Sequence, residues 1–189
     1  MLFRSILLTF YCSLSQTTSK ITESQPIIKE YGEIVKDTNI IVRVVGLDSF
    51  DSTKLNYVNE VIRDNFGFNS KLSNDTFNIK CLLFKGTQNI DMSQFGDMVY
   101  NDTLTVYLTN HRITDEKESH IVGLSSRSSY SIIIDGRFPT DILKTSTIHE
   151  IGHIYGLSHC ENNYCVMNED CLGLNNLKFC KKCTDTMYK

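Results

Sequence analysis

The chain has 189 residues, of which 41% are hydrophobic, with a formal net charge of −3 and seven cysteines. That length and apolar content fill one sizeable core, which excludes a second catalytic module. The charge balance, with basic clusters no longer than Lys181-Lys182, excludes a cationic stripe, so no nucleic-acid partner is expected.

Residues 1–15, MLFRSILLTFYCSLS, place Arg4 before an apolar run from Ile6 to Tyr11, with Ser13 and Ser15 ahead of Gln16. They read as a secretory signal peptide, the alternative being an ordinary apolar N-terminal strand or tail. Cys12 would be removed with the signal, and Thr9-Phe10-Tyr11 lacks the small residues that precede a lipidated cysteine. No other run is long enough to span a membrane. Residues 16–38 are polar and read as a leader or linker, which leaves 39–189 as the folded domain.

Within that domain, 40-IIVRVVGL-47 is β-branched and short, as a buried strand requires. From Ser52 to Phe66, the apolar residues Leu55, Val58, Val61, Ile62 and Phe66 keep helical spacing. Asp51 or Ser52 is available as N-cap and Gly67 as the stop, so an amphipathic helix is expected against the sheet. The segments 77-FNIKCLLF-84 and 104-LTVYLT-109 predict two further strands, and 110–119 a charged loop. A strand pair is expected over 120-HIVGLSS-126 and 130-YSIIID-135, joined by a polar turn. Pro139 and Thr140 then open a helix that runs through Ile142, Ile148 and Ile151 to Tyr155, with Gly156 suited to a left-handed stop. An irregular cysteine-rich tail follows. The predicted class is α+β: a mixed sheet, one packing helix, one site-bearing helix and the tail.

Three of the five histidines lie in 149-HEIGHIYGLSHC-160. Residues four apart share a helix face, so His149 and His153 can bind one zinc ion. If Gly156 turns the chain back, His159 supplies a third ligand and leaves one coordination position for water, the mark of a catalytic site. Glu150, beside the first ligand, can take a proton from zinc-bound water as general base and later return it as acid to a leaving amine. This extended pattern, with Met167 following, is that of the metzincins. Five of the seven cysteines, Cys160, Cys165, Cys171, Cys180 and Cys183, crowd the last thirty residues, and the Cys180-x-x-Cys183 pair suggests a second metal site.

The continuous string His149-Glu150-x-x-His153-x-x-Gly156-x-x-His159-Cys160, then Cys165-x-Met167 and Cys180-x-x-Cys183, resembles the archaemetzincin family. The resemblance implies a metzincin-like fold and a second, structural zinc held by Cys160, Cys165, Cys180 and Cys183, with Met167 in the turn beneath the catalytic metal. It covers about the last forty residues. This chain departs from the family in its short Met167-to-Cys180 spacing, in the extra Cys171, which could replace one of the four ligands, and in the residues preceding the first strand. Those preceding residues point towards export, whereas the family's better-known members are intracellular. Export would make Asn74-Asp75-Thr76 and Asn101-Asp102-Thr103 glycosylation acceptors and allow disulfides among the tail cysteines, although both sequons read more simply as surface loop.

Other residues carry weaker signals. Cys81 reads as a core residue rather than a latency thiol, and His111 and His120 as solvated rather than functional. Tyr155 should pack away from the metal face, and nothing in the spacing selects Tyr164 or Tyr188 for the site. Either 120–126 or 130–135 could be the sheet edge that receives substrate as an added strand. The expectation is therefore a monomeric zinc peptidase with two zinc ions and a peptide or protein substrate. The rival is a zinc-stabilised binding protein without turnover, and a third reading is a disulfide-stapled secreted effector with one zinc.

Overall fold

The computed structural model describes residues 31–47, 50–73, 82–83, 89–91, 103–114, 119–169 and 178–189. The proposed signal, Cys12, Cys81, Cys171, residues 74–76 and residues 101–102 lie outside them. Two sheets and three helices make up the described fold. The main sheet contains β1 (Ile41–Gly46), β2 (Asn69–Ser73), β4 (Leu104–Thr109), β7 (Gly123–Ser126) and β8 (Ser131–Asp135), in the order β2-β1-β4-β8-β7. All its pairings are parallel except β7 with β8. A smaller sheet, ordered β3-β5-β6, contains β3 (Asn89–Asp91), β5 (Arg112–Thr114) and β6 (His120–Ile121).

Parallel strands require cover on both faces, and strand alternation supplies two separate cores. Val42, Val44, Val106, Leu108, Ile132 and Ile134 point to the helix side. Val45, Leu47, Tyr107, Ile133 and Leu124 point the other way, onto Leu82, Ile90, Ile113 and Ile121.

Helix α1 (Ser52–Phe66) begins where the Asp51 carboxylate accepts the Thr53 N–H at 2.8 Å. It ends at Gly67, whose φ of 70° suits a residue without Cβ. Its face of Val58, Val61, Ile62 and Phe66 is buried, each side chain contributing about 1.5–3 kcal/mol relative to exposure. Helix α2 (Thr140–Ile154) packs beside α1 over the same core. Pro139 is its N-cap rather than its first helical residue, and no side chain caps the start.

Six elements differ from expectation. β2, β3 and β5 form on short, polar segments, and β5 falls inside the loop expected over 110–119. Of the strand expected over 77–84, only Leu82 and Leu83 lie among the described residues, and Leu83 makes an isolated antiparallel bridge to Ile90. The tail is not wholly irregular, since α3 (Lys181–Met187) forms within it and buries Cys183, Thr184 and Met187. Finally, β8 is interior, so 130–135 is not a sheet edge; among the described residues β7 is.

Residues 31–37 run along the C-terminal segment before β1. Tyr31 bridges Cys180, the Gly32 N–H donates to the Phe179 carbonyl at 3.2 Å, and the Val35 N–H donates to the Tyr188 hydroxyl at 2.8 Å. Among the described residues no helix is long and apolar enough to cross a membrane. Because the Asp51 cap serves a helix that buries Val58, Val61, Ile62 and Phe66 in the main core, Asp51→Ala is expected to cost about 1 kcal/mol. A urea titration followed by circular dichroism should show the lower midpoint at an unchanged m-value.

Candidate metal centre and active site

The last turn of α2 is set by Gly156. Its N–H donates to the His153 carbonyl at 2.9 Å and the Leu157 N–H to the Gly152 carbonyl at 3.1 Å, a Schellman pair made possible by a φ of 89° at Gly156. The reversal carries His159 back over the helix. His149, His153 and His159 then face one another with ring centroids 4.6, 4.9 and 5.4 Å apart, and one nitrogen of each lies within 4.8 Å of the other two.

Each ring is oriented through its other nitrogen. His149 Nδ1 donates to the Val166 carbonyl at 2.7 Å, and His153 Nδ1 to the Leu157 carbonyl at 2.8 Å. A carbonyl only accepts, so each neutral ring carries its proton on Nδ1 and presents a lone pair on Nε2. Those two Nε2 atoms are 2.9 Å apart. Protonation is no ready relief. Burial, then the neighbouring His153, holds His149 well below the usual imidazole range, and burial brings His153 down to about 4. Two facing lone pairs fit a shared electron-pair acceptor, as a zinc ion would be. The Glu169 carboxylate pairs with His159 Nδ1, turning that ring in the same way.

Glu150 is 2% exposed, and burial pushes its carboxyl up to about 8, opposed by the adjacent Ser125 hydroxyl. It lies against the start of β7: a Cβ built on Gly123 would meet Glu150 Oε1 at 3.0 Å. On the other flank of α2, a Cβ on Gly152 would collide with Met167 Sδ and meet the Phe179 ring at 2.9 Å. Gly152 thus admits the fully buried Met167 between the histidine helix and the tail.

The segment from Cys160 to Asn168 is closed on itself. The Cys160 N–H donates to the Met167 carbonyl at 2.8 Å and the Asn168 amide to the Cys160 carbonyl at 2.9 Å. This loop brings Cys160 and Cys165 to Cys180 and Cys183, with all four sulfurs within 4.8 Å of one another. Cys160 and Cys180 Sγ are 3.8 Å apart, and Cys165 and Cys183 Sγ 3.6 Å. Disulfide sulfurs lie about 2.05 Å apart, whereas four thiolates about 2.3 Å from one tetrahedral zinc lie about 3.8 Å apart. The spacing fits the metal, against the disulfide-stapled reading. The hydrogen bond shared with Cys183, together with those from the Cys180 and Met167 amides, brings Cys165 down to about 5. The hydrogen bond with Cys165, then burial and the Cys165 charge, push the Cys183 thiol up, and burial raises Cys160.

His111 and His120 join neither cluster. His120 Nε2 lies 2.8 Å from Asp135 Oδ2, and its ring stacks on Phe138 at 5.3 Å. Burial raises the Asp135 carboxyl, but hydrogen bonds from Arg137 and His120 and the Arg137 charge outweigh it and leave the group below its usual range. Tyr155 stacks on Phe68 at 6.2 Å, away from the imidazoles. Glu169, Ser125, Gly123 and Gly152 were not singled out from the sequence. The motif glycine Gly152 was the one legible candidate among them, as the small residue between the two ligand histidines.

The pattern of Peptidase family M54 matches residues 27–189. The archaemetzincin of Nanoarchaeum equitans is 31% identical over 126 residues, which span 64% of this chain and 72% of the relative. Among solved structures, the archaemetzincin of Archaeoglobus fulgidus superposes with a TM-score of 0.67 at 15% identity, covering 78% of this chain and 99% of that one. That of Methanopyrus kandleri gives 0.64 at 16% identity, covering 79% and 93%. At those identities the two structures bear on the fold.

Two outcomes follow. Gly152→Val should overpack against Met167 and Phe179 and lower stability by about 1–3 kcal/mol, measured by urea denaturation. Asp135, with its folded pKa depressed, contributes stability that is present above the unfolded value of about 3.9 and is lost as pH falls through the folded value. Asp135→Asn should therefore lower the melting temperature near neutrality and flatten its dependence on pH below about 4, read by differential scanning calorimetry.

Proposed function

The chain belongs to peptidase family M54, the archaemetzincins, and is a zinc metallopeptidase; we propose that Glu150 is its general base and acid and that it holds two zinc ions, one catalytic and one structural. The observation that carries the proposal is the pair of Nε2 lone pairs turned inward by the Val166 and Leu157 carbonyls, beside a buried carboxyl.

His149, His153 and His159 would hold the catalytic ion, and Cys160, Cys165, Cys180 and Cys183 the structural one. Zinc in the histidine site supplies Lewis acidity, which polarises a carbonyl and brings the pKa of water down to about 7. Glu150, fixed on α2 one residue from His149, takes the proton of the attacking water and delivers it to the departing amide nitrogen. Its burial keeps that proton out of bulk exchange. Glu169 orients His159 as the two carbonyls orient its partners. Met167 fills the space under the histidine helix left by Gly152 and supports the ring array from below. Among the described residues β7 is the edge strand, and it starts at the Glu150 carboxylate, so a peptide added antiparallel or parallel to β7 would pass its backbone along the site.

The test couples metal content with cleavage. Purified protein should contain two zinc ions per chain. Cys183→Ser should reduce that count by one, and so should His153→Ala. Glu150→Gln should keep both ions and cleave a broad peptide library about 10²–10⁴-fold more slowly. Equal cleavage by wild type and Glu150→Gln would remove Glu150 from the mechanism. Two ions with no cleavage by wild type would turn the reading towards a zinc-stabilised binding protein. In a competition titration with a chelator, Glu169→Gln should weaken the histidine site about 10- to 100-fold while leaving the thiolate site unchanged.

A further inference from the structure

The peptide edge of the main sheet ends on a cation. Residues alternate along β7, so Gly123 and Ser125 face α2 and the Glu150 carboxyl, while Leu124 between them packs into the opposite core. Arg127, directly beyond the strand, continues the α2-facing set. Its side chain is exposed, yet its guanidinium is not splayed into solvent: two of its nitrogens lie 3.1 and 3.2 Å from the place a Cβ on Gly156 would occupy. Gly156 is the midpoint of the turn between His153 and His159. Any side chain at Gly156 would displace Arg127, quite apart from the positive φ that the turn demands.

Among the described residues no carboxylate pairs with Arg127. The C-terminal end of α2 beneath it supplies only the partial negative charge of helix carbonyls. The guanidinium thus keeps its planar donor fork and most of its charge available to an anion approaching along β7.

Resting on the peptidase reading above, we infer that Arg127 is a specificity-determining residue that selects an acidic side chain in the bound peptide. The register fixes where. Gly123 marks the reacting bond through its contact with Glu150, and Arg127 lies four residues further on, roughly 13 Å at the rise of a strand. The acidic residue is therefore three or four positions from the cleaved bond, on the side chain row that faces α2. A neighbouring position, two from the bond, faces Ser125 and gains nothing from charge.

The experiment uses the zinc-loaded full chain and matched peptides in which Asp or Asn is moved through each position from four before to four after the cleaved bond. The ratio of kcat/KM for Asp over Asn should be about two- to five-fold at the predicted position, the worth of an exposed ion pair, and should shrink with added salt. Arg127→Gln should bring that ratio to one, and Arg127→Glu should invert it in favour of Lys over Gln at the same position. A merely structural Arg127 would change all peptides alike. Fluorescence anisotropy of the same peptides on the Glu150→Gln protein reads the preference without turnover. An enzyme that cleaves peptides with the same Asp-to-Asn ratio in wild type and Arg127→Gln overturns this inference and leaves the peptidase standing. The predicted ranking in binding, with no cleavage by wild type, keeps Arg127 in its role and overturns the peptidase. Neither binding nor cleavage overturns both.

Discussion

Two backbone carbonyls decide what the histidine helix can do. Imidazole offers either nitrogen to a metal, and a bare helix would leave that choice to rotamer and tautomer equilibria. The Val166 and Leu157 oxygens remove the choice by binding Nδ1 of His149 and His153, so both lone pairs converge. One of these carbonyls is local to the helix, delivered by the Gly156 reversal. The other comes from the tail. An otherwise unfavourable cluster of desolvated, mutually facing nitrogens is stable as part of the fold because the surrounding backbone over-determines it.

The tail's dependence on its own sulfur cluster follows from that demand. Val166 is adjacent to Cys165, and its N–H donates to the Lys178 carbonyl at 3.0 Å. The loop that presents the Val166 oxygen is therefore held at both ends by the groups that bring the four sulfurs together. Cys160 is likewise adjacent to His159. The two donor sets are separate in coordination but mechanically continuous, with the buried Met167 and Phe179 filling the volume between them. A closed four-sulfur site suits this role, since it fixes geometry without offering a reactive position.

Much of this was legible in the sequence where the signal is local. Helix α1 was read with its boundaries because Asp51, the apolar spacing and Gly67 all agree. The histidine triad was read because four-residue helical spacing and one left-handed glycine determine it. Strands β2, β3 and β5 were not legible: NSKLS, NID and RIT each offer a single apolar residue, and their pairing is set by neighbours distant in sequence. Helix α3 was missed because KKCTDTM has little helical preference of its own and gains its order from burying Cys183 and Met187. Glu169 carried no signal, being half exposed and lying beyond any helical repeat. Carbonyl acceptors such as Val166 and Leu157 leave no side-chain signature at all. The sheet edge remained open between two candidates, because strand order depends on crossovers that alternation does not encode.

The contact between Val35 and Tyr188 joins positions 153 apart in sequence. The amino end is synthesised first, so the histidine helix is made before the segment from Lys178 to Tyr188. During that interval His149 lacks its Val166 restraint in final form, and Tyr31 and Gly32 have no partner strand at Cys180 and Phe179. The imidazole array therefore takes its final form only once the strand of chain at Lys178 has joined the fold, because the Val166 carbonyl that fixes His149 is itself held there.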